Sequence, residues 1–489
     1  MTYLLGIDQG TTQTTAVVVE AETGRLAAQR SAQLPARFPQ PGWVEQDPAD
    51  IVRTVREAAG PLVEQFPIAA AGFDNQGETF VVWDAETGQP LTPAIVWQDK
   101  RAAQLCEALR GQVDGDWLRR TTGLLLDSYF SGPKLRYALE HDAALRSAMA
   151  GGRARFGTTE TWVIWNLTRD RLHITDPSTA SRTLMFDINR FEWDDRLLEL
   201  FGASRACLPE VRPSAGYAGE LDFGAGRTVP LHALLVDQQA ALFGQACFQP
   251  GEMKCTFGTG SFLLMNIGGE MKLSNHGLLT TVAWRLGHQT AYALDGGIFV
   301  TGAAVQWITE SLGLLPNVAA SAEAAQRSAD PEVVFVPALQ GLAAPHWLAE
   351  ARGALFGLSR GSGPADIARA TLDGIACRVY EVATAMAQDA GQPLANLKVD
   401  GGPSGNAYLM QAIADLLQVD VRVAAAREAT AMGIANLAGH SALGLALEQL
   451  AARWQAEAVY HPKMAAADRA RKLERWDRAL AALKYYHGA

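Results

Sequence analysis

The sequence predicts an α/β protein of two similar halves facing each other across one cleft. Three glycine turns, each at the end of an apolar strand, carry that prediction. The first is Gly6-Ile7-Asp8-Gln9-Gly10-Thr11-Thr12, directly after an apolar stretch. The second is Cys255-Thr256-Phe257-Gly258-Thr259-Gly260-Ser261-Phe262, and the third is Val399-Asp400-Gly401-Gly402-Pro403-Ser404-Gly405-Asn406, leading into a helix that begins near Ala407. At 489 residues the chain exceeds one core and suits two domains of roughly 240 residues each. The turn Phe248-Gln249-Pro250-Gly251 marks the boundary, giving a first domain over 1–246 and a second over 247–489.

The elements follow in order. Strands are expected at Tyr3 to Ile7, Ala16 to Glu20 and Leu26 to Gln33, forming a meander that opens the first half, and again at Phe80 to Trp83. Asp47 can cap a helix with Pro48 at its first position, and Ile51, Val52, Val55 and Leu62 keep helical spacing along it. A second sheet should start near Met253 and continue through Phe262 to Ile267 and Thr290 to Leu294. From Leu447 to the end the pattern is helical, with Arg469, Arg471, Lys472, Glu474 and Arg475 on a solvated face. No low-complexity linker separates the halves, so they should touch along a hinge.

The turns have the chemistry of a metal-phosphate site. Gly10 lets the backbone approach a phosphate, Thr11 and Thr12 offer N–H and O–H donors, and Asp8 can hold Mg²⁺ through water. No G-x-x-x-x-G-K-[ST] and no complete G-x-G-x-x-G opening a helix occurs, which removes the main support for P-loop and dinucleotide-binding folds. Composition narrows the function further. With 42 basic against 52 acidic residues the net charge is −10, which argues against nucleic acid as a partner. The nine His form no H-E-x-x-H pair, and the five Cys, without C-x-x-C spacing, read as buried thiols of a reducing compartment. No charged leader precedes an apolar core and no apolar run approaches the ~20 residues of a membrane span, so a cytoplasmic location is expected.

Taken together, these segments resemble the FGGY carbohydrate kinases of the actin-like ATPase superfamily, and within them the glycerol kinases most. The resemblance runs nearly end to end. It covers Asp8-Gln9-Gly10-Thr11-Thr12, Asn75-Gln76-Gly77-Glu78-Thr79 with Val82-Trp83-Asp84, and Ala94-Ile95-Val96-Trp97-Gln98-Asp99. It continues through Tyr129-Phe130-Ser131, Asp237-Gln238-Gln239, Gly258-Thr259-Gly260 and Gly302-Ala303-Ala304-Val305-Gln306-Trp307 to Ala351-Arg352-Gly353-Ala354-Leu355-Phe356-Gly357-Leu358 and Asp400-Gly401-Gly402.

The resemblance implies two actin-like (ribonuclease H-like) domains with a nucleotide cleft between them, and ATP-dependent phosphorylation of a hydroxyl of a small polyol or sugar. Asp237, after the apolar stretch Leu234 to Val236 and before a helix, is the expected general base, although an isolated Asp there could equally be a helix cap. Asp8 goes to Mg²⁺. Substrate contacts carry over as Gly77, Glu78, Tyr129, Asp237 and Gln238, with Trp97 and Phe262 as apolar walls, since carboxylates and amides suit hydroxyls and ring faces cover C–H edges. Nucleotide contacts carry over as Thr11, Thr12, Gln13, Gly258, Thr259, Gly302, Gln306, Gly401, Gly402 and Asn406. The family often forms dimers or tetramers, so a homo-oligomer is expected.

Two departures bear on the substrate. Glycerol kinases carry an arginine just before the pocket glutamate, where this chain has Gly77, and another where it has Thr15. Losing a guanidinium at 77 removes donors and volume, so the sequence favours a longer polyol or a ketose over glycerol, with a true glycerol kinase of altered pocket as the runner-up and a xylulose-type ketose kinase after it. The Met-His pair of xylulose-type ketose kinases is absent at this point. A catalytically idle sugar sensor and an actin-like chaperone are the readings from other classes. Intact Asp8 and Asp237 count against the first, and Trp97, Tyr129 and the Asp237-Gln238 pair against the second.

Overall fold

Asp47 caps the helix Pro48–Gln65 through a bond from Ala49 N at 3.0 Å, and Ile51, Val52, Val55 and Leu62 along that helix are buried. The computed structural model describes residues 1–488. Strand Tyr3–Gln9 pairs antiparallel with Gln13–Glu20, which pairs antiparallel with Leu26–Gln33. On its other side lie Ile68–Asn75 and then Thr228–Val236, both parallel. The second half repeats this plan. Met253–Phe257, Ser261–Gly268 and Gln289–Ile298 form an antiparallel meander, and Asn396–Asp400 and Asp420–Ala424 add in parallel beside the first of them. The repeated order and sense make two actin-like domains of the same architecture.

The second sheet is not separate, as the sequence had suggested. Ala215–Asp222 meets Leu279–Leu286 at one residue pair, Ala215 with Leu286, and this joint makes one continuous thirteen-stranded sheet. The hinge is built from helices that pack across the halves. Helix Ala429–Leu443, from the second half, lies on strands Tyr3–Gln9 and Ile68–Asn75 of the first and against helix Asp237–Gly244. Its seat requires glycine: a Cβ at Gly6 would fall 1.9 Å from the Ala431 carbonyl, and one at Gly72 2.3 Å from that of Ile434.

The C-terminal region departs from an uninterrupted helical pattern. Helix Leu447–Arg453 is followed by an edge strand, Ala456–Tyr460, before the long helix Ala466–Tyr486. The charges on that last helix are also less solvated than expected. Lys472 reaches Asp373 at 2.5 Å, Arg469 donates to the Leu416 carbonyl, and Arg475 to the Pro331 carbonyl, while Arg471 and Glu474 stay exposed. All five cysteines are free and buried. Among the described residues no helix is long and apolar enough to cross a membrane.

Candidate active site

Strand register brings the first carboxylates together. Asp8, one residue before the end of its strand, stands directly beside Asp74 on the parallel neighbour, and strand Thr228–Val236, next along, delivers Asp237 at the start of a helix. Burial pushes Asp8 up to about 7, with Asp237 adding repulsion. Asp237 is raised to about 6 by burial and by Glu78, against the pull of Lys254. Asp237 Oδ1 accepts from Gln238 N at 2.7 Å, and its other oxygen stays open apart from a 3.4 Å approach of the Gln238 amide. Asp74 is fully buried, neither of its oxygens meets an N–H or hydroxyl donor among the described residues, and its carboxyl is raised by burial and by the Asp8 carboxyl beside it.

A second group lies beside these. Glu78 is buried and accepts from Arg182 Nε at 2.7 Å, while Arg182 Nη1 stands 2.9 Å from Asp295 of the other half. Burial opposes the charge on Arg182, but Glu78 and Asp295 outweigh it and hold the guanidinium protonated. Trp97 packs edge-on against Tyr129 at 5.7 Å and Phe262 at 6.2 Å, so three rings from three segments make one wall. Trp97 Nε1 donates to Thr11 Oγ1 at 2.8 Å, tying that wall to the first glycine turn. Buried Lys134 fixes the floor by donating to the carbonyls of Val96, Trp97 and Tyr129.

At position 77 the space directly over the backbone is occupied: a Cβ on Gly77 would lie 2.7 Å from Val236 Cγ2 and 3.5 Å from Arg182 Cγ. Thr15 is buried and shares a hydroxyl bond with Ser31 at 3.0 Å.

The second and third glycine turns interlock on the opposite wall. Gly302 N donates to the Gly258 carbonyl at 3.1 Å, and Ala303 N to that of Thr259 at 3.2 Å. Gly401, at φ +85°, passes so close to Phe257 that a Cβ would sit 1.9 Å from its carbonyl oxygen. Gly258, Thr259, Gln306, Gly401 and Gly402 are exposed around this knot, as Thr12 and Gln13 are across the cleft. Asn406 has both polar ends engaged within the protein, capping Leu409 N at 3.0 Å and donating to Ser321 Oγ at 3.0 Å.

Matches to both halves of one family model accompany this geometry: the FGGY family of carbohydrate kinases, N-terminal domain over residues 3–244 and C-terminal domain over 253–442. The chain belongs to the FGGY family of carbohydrate kinases. Its relatives include a protein named glycerol kinase from Aromatoleum aromaticum, 45% identical with 98% of each chain covered, and one from Thermus brockianus, 46% identical with 98% of each covered. In three dimensions it is similar to Plasmodium falciparum glycerol kinase with ADP, at TM-score 0.93 and 30% identity over 99% of this chain and 98% of that one. A xylulose kinase of Lactobacillus acidophilus shares the fold at TM-score 0.89 and 20% identity, covering 100% of this chain and 99% of that one. This FGGY kinase is therefore an ATP-dependent phosphotransferase acting on a hydroxyl of a small polyol or sugar.

Several polar residues at the cleft escaped the sequence reading. Asp74 lies one residue before the quoted Asn75 segment, yet only the register of two strands shows that it sits beside Asp8. Lys254 is buried and donates to Gln238 Oε1 at 2.5 Å and Thr256 Oγ1 at 3.0 Å, a cation beside the expected base. Arg182 and Asp295 carry no local motif, and no sequence signal pairs them across 113 positions of chain.

Proposed function

We propose that this kinase transfers the terminal phosphoryl group of ATP to a hydroxyl of a short polyol of glycerol's size, with Asp237 as general base. The observation that carries this reading is the apolar Val236 side chain, which takes the position of a residue-77 Cβ beside the two carboxylates assigned to the acceptor. The glycerol kinase names of relatives at 43–46% identity support the same substrate class.

In the proposed reaction Asp237 takes the proton of the attacking hydroxyl as its oxygen bonds to the γ-phosphorus and the bond to the β-phosphate oxygen breaks, releasing ADP. The bond from Gln238 N to Oδ1 fixes the carboxylate, leaving Oδ2 to face the acceptor. Glu78 accepts a second hydroxyl, held in place by Arg182. Trp97, Tyr129 and Phe262 cover the carbon edge, and the turns at Thr11–Gln13, Gly258–Thr259, Gly302 and Gly401–Gly402 provide backbone room for the nucleotide. Gln306 borders that room, and Asn406 supports the third turn.

The residues fit a divalent cation. A fully buried carboxylate with both oxygens unbonded, as in Asp74, is costly as an anion unless a cation or a proton neutralises it, and Asp8 stands beside it. Asp8 and Asp74 would hold Mg²⁺, which when bound offsets phosphate charge.

We place the boundary between the domains at 246/247, and expect a homo-oligomer working in the cytoplasm, to be tested by sedimentation and cell fractionation. The function is tested by ADP release from Mg-ATP over glycerol, tetritols, pentitols and ketoses at matched concentration. Glycerol or a tetritol should lead. A clear preference for pentitols or ketoses would overturn the size argument, and acceptor binding without turnover would favour a sensor.

A further inference from the structure

Gly77 directly precedes Glu78, and Val236 directly precedes Asp237, so each stands next to one of the two carboxylates assigned to the acceptor. The two positions also share one volume. A Cβ built on Gly77 would meet Val236 Cγ2 at 2.7 Å, inside any real contact distance, and Arg182 Cγ and Cβ at 3.5 and 3.8 Å. Val236 cannot retreat. It is 2% exposed, its N–H donates to Ser178 Oγ at 3.0 Å, and its strand is paired with Asn75 in parallel register. The two positions therefore compete for the same space.

We infer that Gly77 and Val236 form a coupled specificity-determining pair, with the Val236 methyl giving an apolar edge between Glu78 and Asp237 that makes no hydrogen bond to the acceptor. This rests on the proposed acceptor site. The chemistry of that edge follows from the polar groups around it. Glu78 and Asp237 are acceptors. Arg182, the nearest cation, donates Nε to Glu78 and stands with Nη1 2.9 Å from Asp295 without a hydrogen bond to it. A hydroxyl can donate to either carboxylate, but a carbonyl or a hydroxyl oxygen lying against Val236 finds no donor from positions 77 and 236. The pair thus tolerates an acceptor carbon that lacks a hydroxyl at that edge. A site built around a donor there would reject such a deoxy acceptor strongly, because its own polar group would be left unpaired.

The test is a double-mutant cycle on Gly77→Arg and Val236→Gly, read as KM and kcat for glycerol and for 1,2-propanediol, with nucleotide affinity and thermal unfolding measured alongside. The wild-type enzyme should use the two acceptors within about tenfold of each other in kcat/KM, the discrimination a pocket without a directed hydrogen bond can supply. Gly77→Arg alone should raise the acceptor KM by about tenfold or more through the clash, with nucleotide affinity unchanged. Adding Val236→Gly should recover most of that loss and widen the preference for glycerol by about a further tenfold or more, as a donor now faces the missing hydroxyl. Additive effects of the two substitutions, or a Val236→Gly enzyme with unaltered acceptor KM and unaltered preference, would overturn the inference. Absence of turnover by the wild-type enzyme on every acceptor would instead count against the acceptor-site reading itself.

Discussion

The two sides of the first-half cleft treat buried charge in opposite ways. On the acceptor side Glu78, Arg182 and Asp295 form a continuous ladder in which each carboxylate faces the same guanidinium. Lys134 there is likewise satisfied by three carbonyls. On the phosphate side Asp8, Asp74 and Asp237 stand near one another with Lys254 as the cation beside them, and Asp74 has only the Asp8 carboxyl as a neighbouring partner among the described residues. The difference teaches that the acceptor side is neutralised by the protein's own arginine, whereas the clustered carboxylates of the other side are held largely by burial and raised toward protonation. Pre-organisation suits a small neutral ligand that can supply little binding energy, and unneutralised carboxylate suits a charged one.

Breaking the ladder should give the largest effect. Arg182→Met leaves Glu78 and Asp295 buried without their cation, and should cost about 3–5 kcal/mol in denaturant unfolding. A loss below about 1 kcal/mol would place the ladder among exposed, weak ion pairs. Asp237→Asn comes next, lowering kcat by roughly 10²-fold or more with unfolding unchanged, as for removal of a general base. Near wild-type turnover would remove Asp237 from that role.

Asp74→Asn sharpens the contrast from the other side. Because burial and the neighbouring Asp8 penalise the wild-type carboxylate, stability should hold or rise, while Mn²⁺ affinity in the presence of ADP, followed by electron paramagnetic resonance, should fall by about tenfold. Unchanged Mn²⁺ affinity would make Asp74 a neutral buried acid. The smallest effect is in the pH profile. Asp237 must be ionised to accept a proton, and burial and Glu78 raise it to about 6. Acid therefore inactivates: kcat/KM should be level above that value and drop by about tenfold per pH unit below it. A midpoint near an ordinary aspartate, close to 3.8, would mean that Asp237 is better solvated than its surroundings imply.

Much of this enzyme was legible in the chain. The three glycine turns, the capped helix after Asp47 and the meander at the N-terminus depend on contacts within a few residues, and they formed where local chemistry put them. The rings of the acceptor wall were named from motifs that lie contiguous in sequence, and they meet in space. The solvated C-terminal face was only partly right, because Arg469, Lys472 and Arg475 find partners 53, 99 and 144 residues away.

By itself the sequence determined the turns, the alternation of strands and helices, and the identity of the family, since each is written in short segments. Tertiary structure alone decided what fills the space at Gly77, which cation holds Glu78 and which carboxylate joins Asp8. Those answers depend on Val236, Arg182 and Asp74, brought into place by strand register and by packing of one half on the other. Register is fixed by hydrogen bonding over the whole sheet, and no local pattern of residues encodes which side chain will stand beside which.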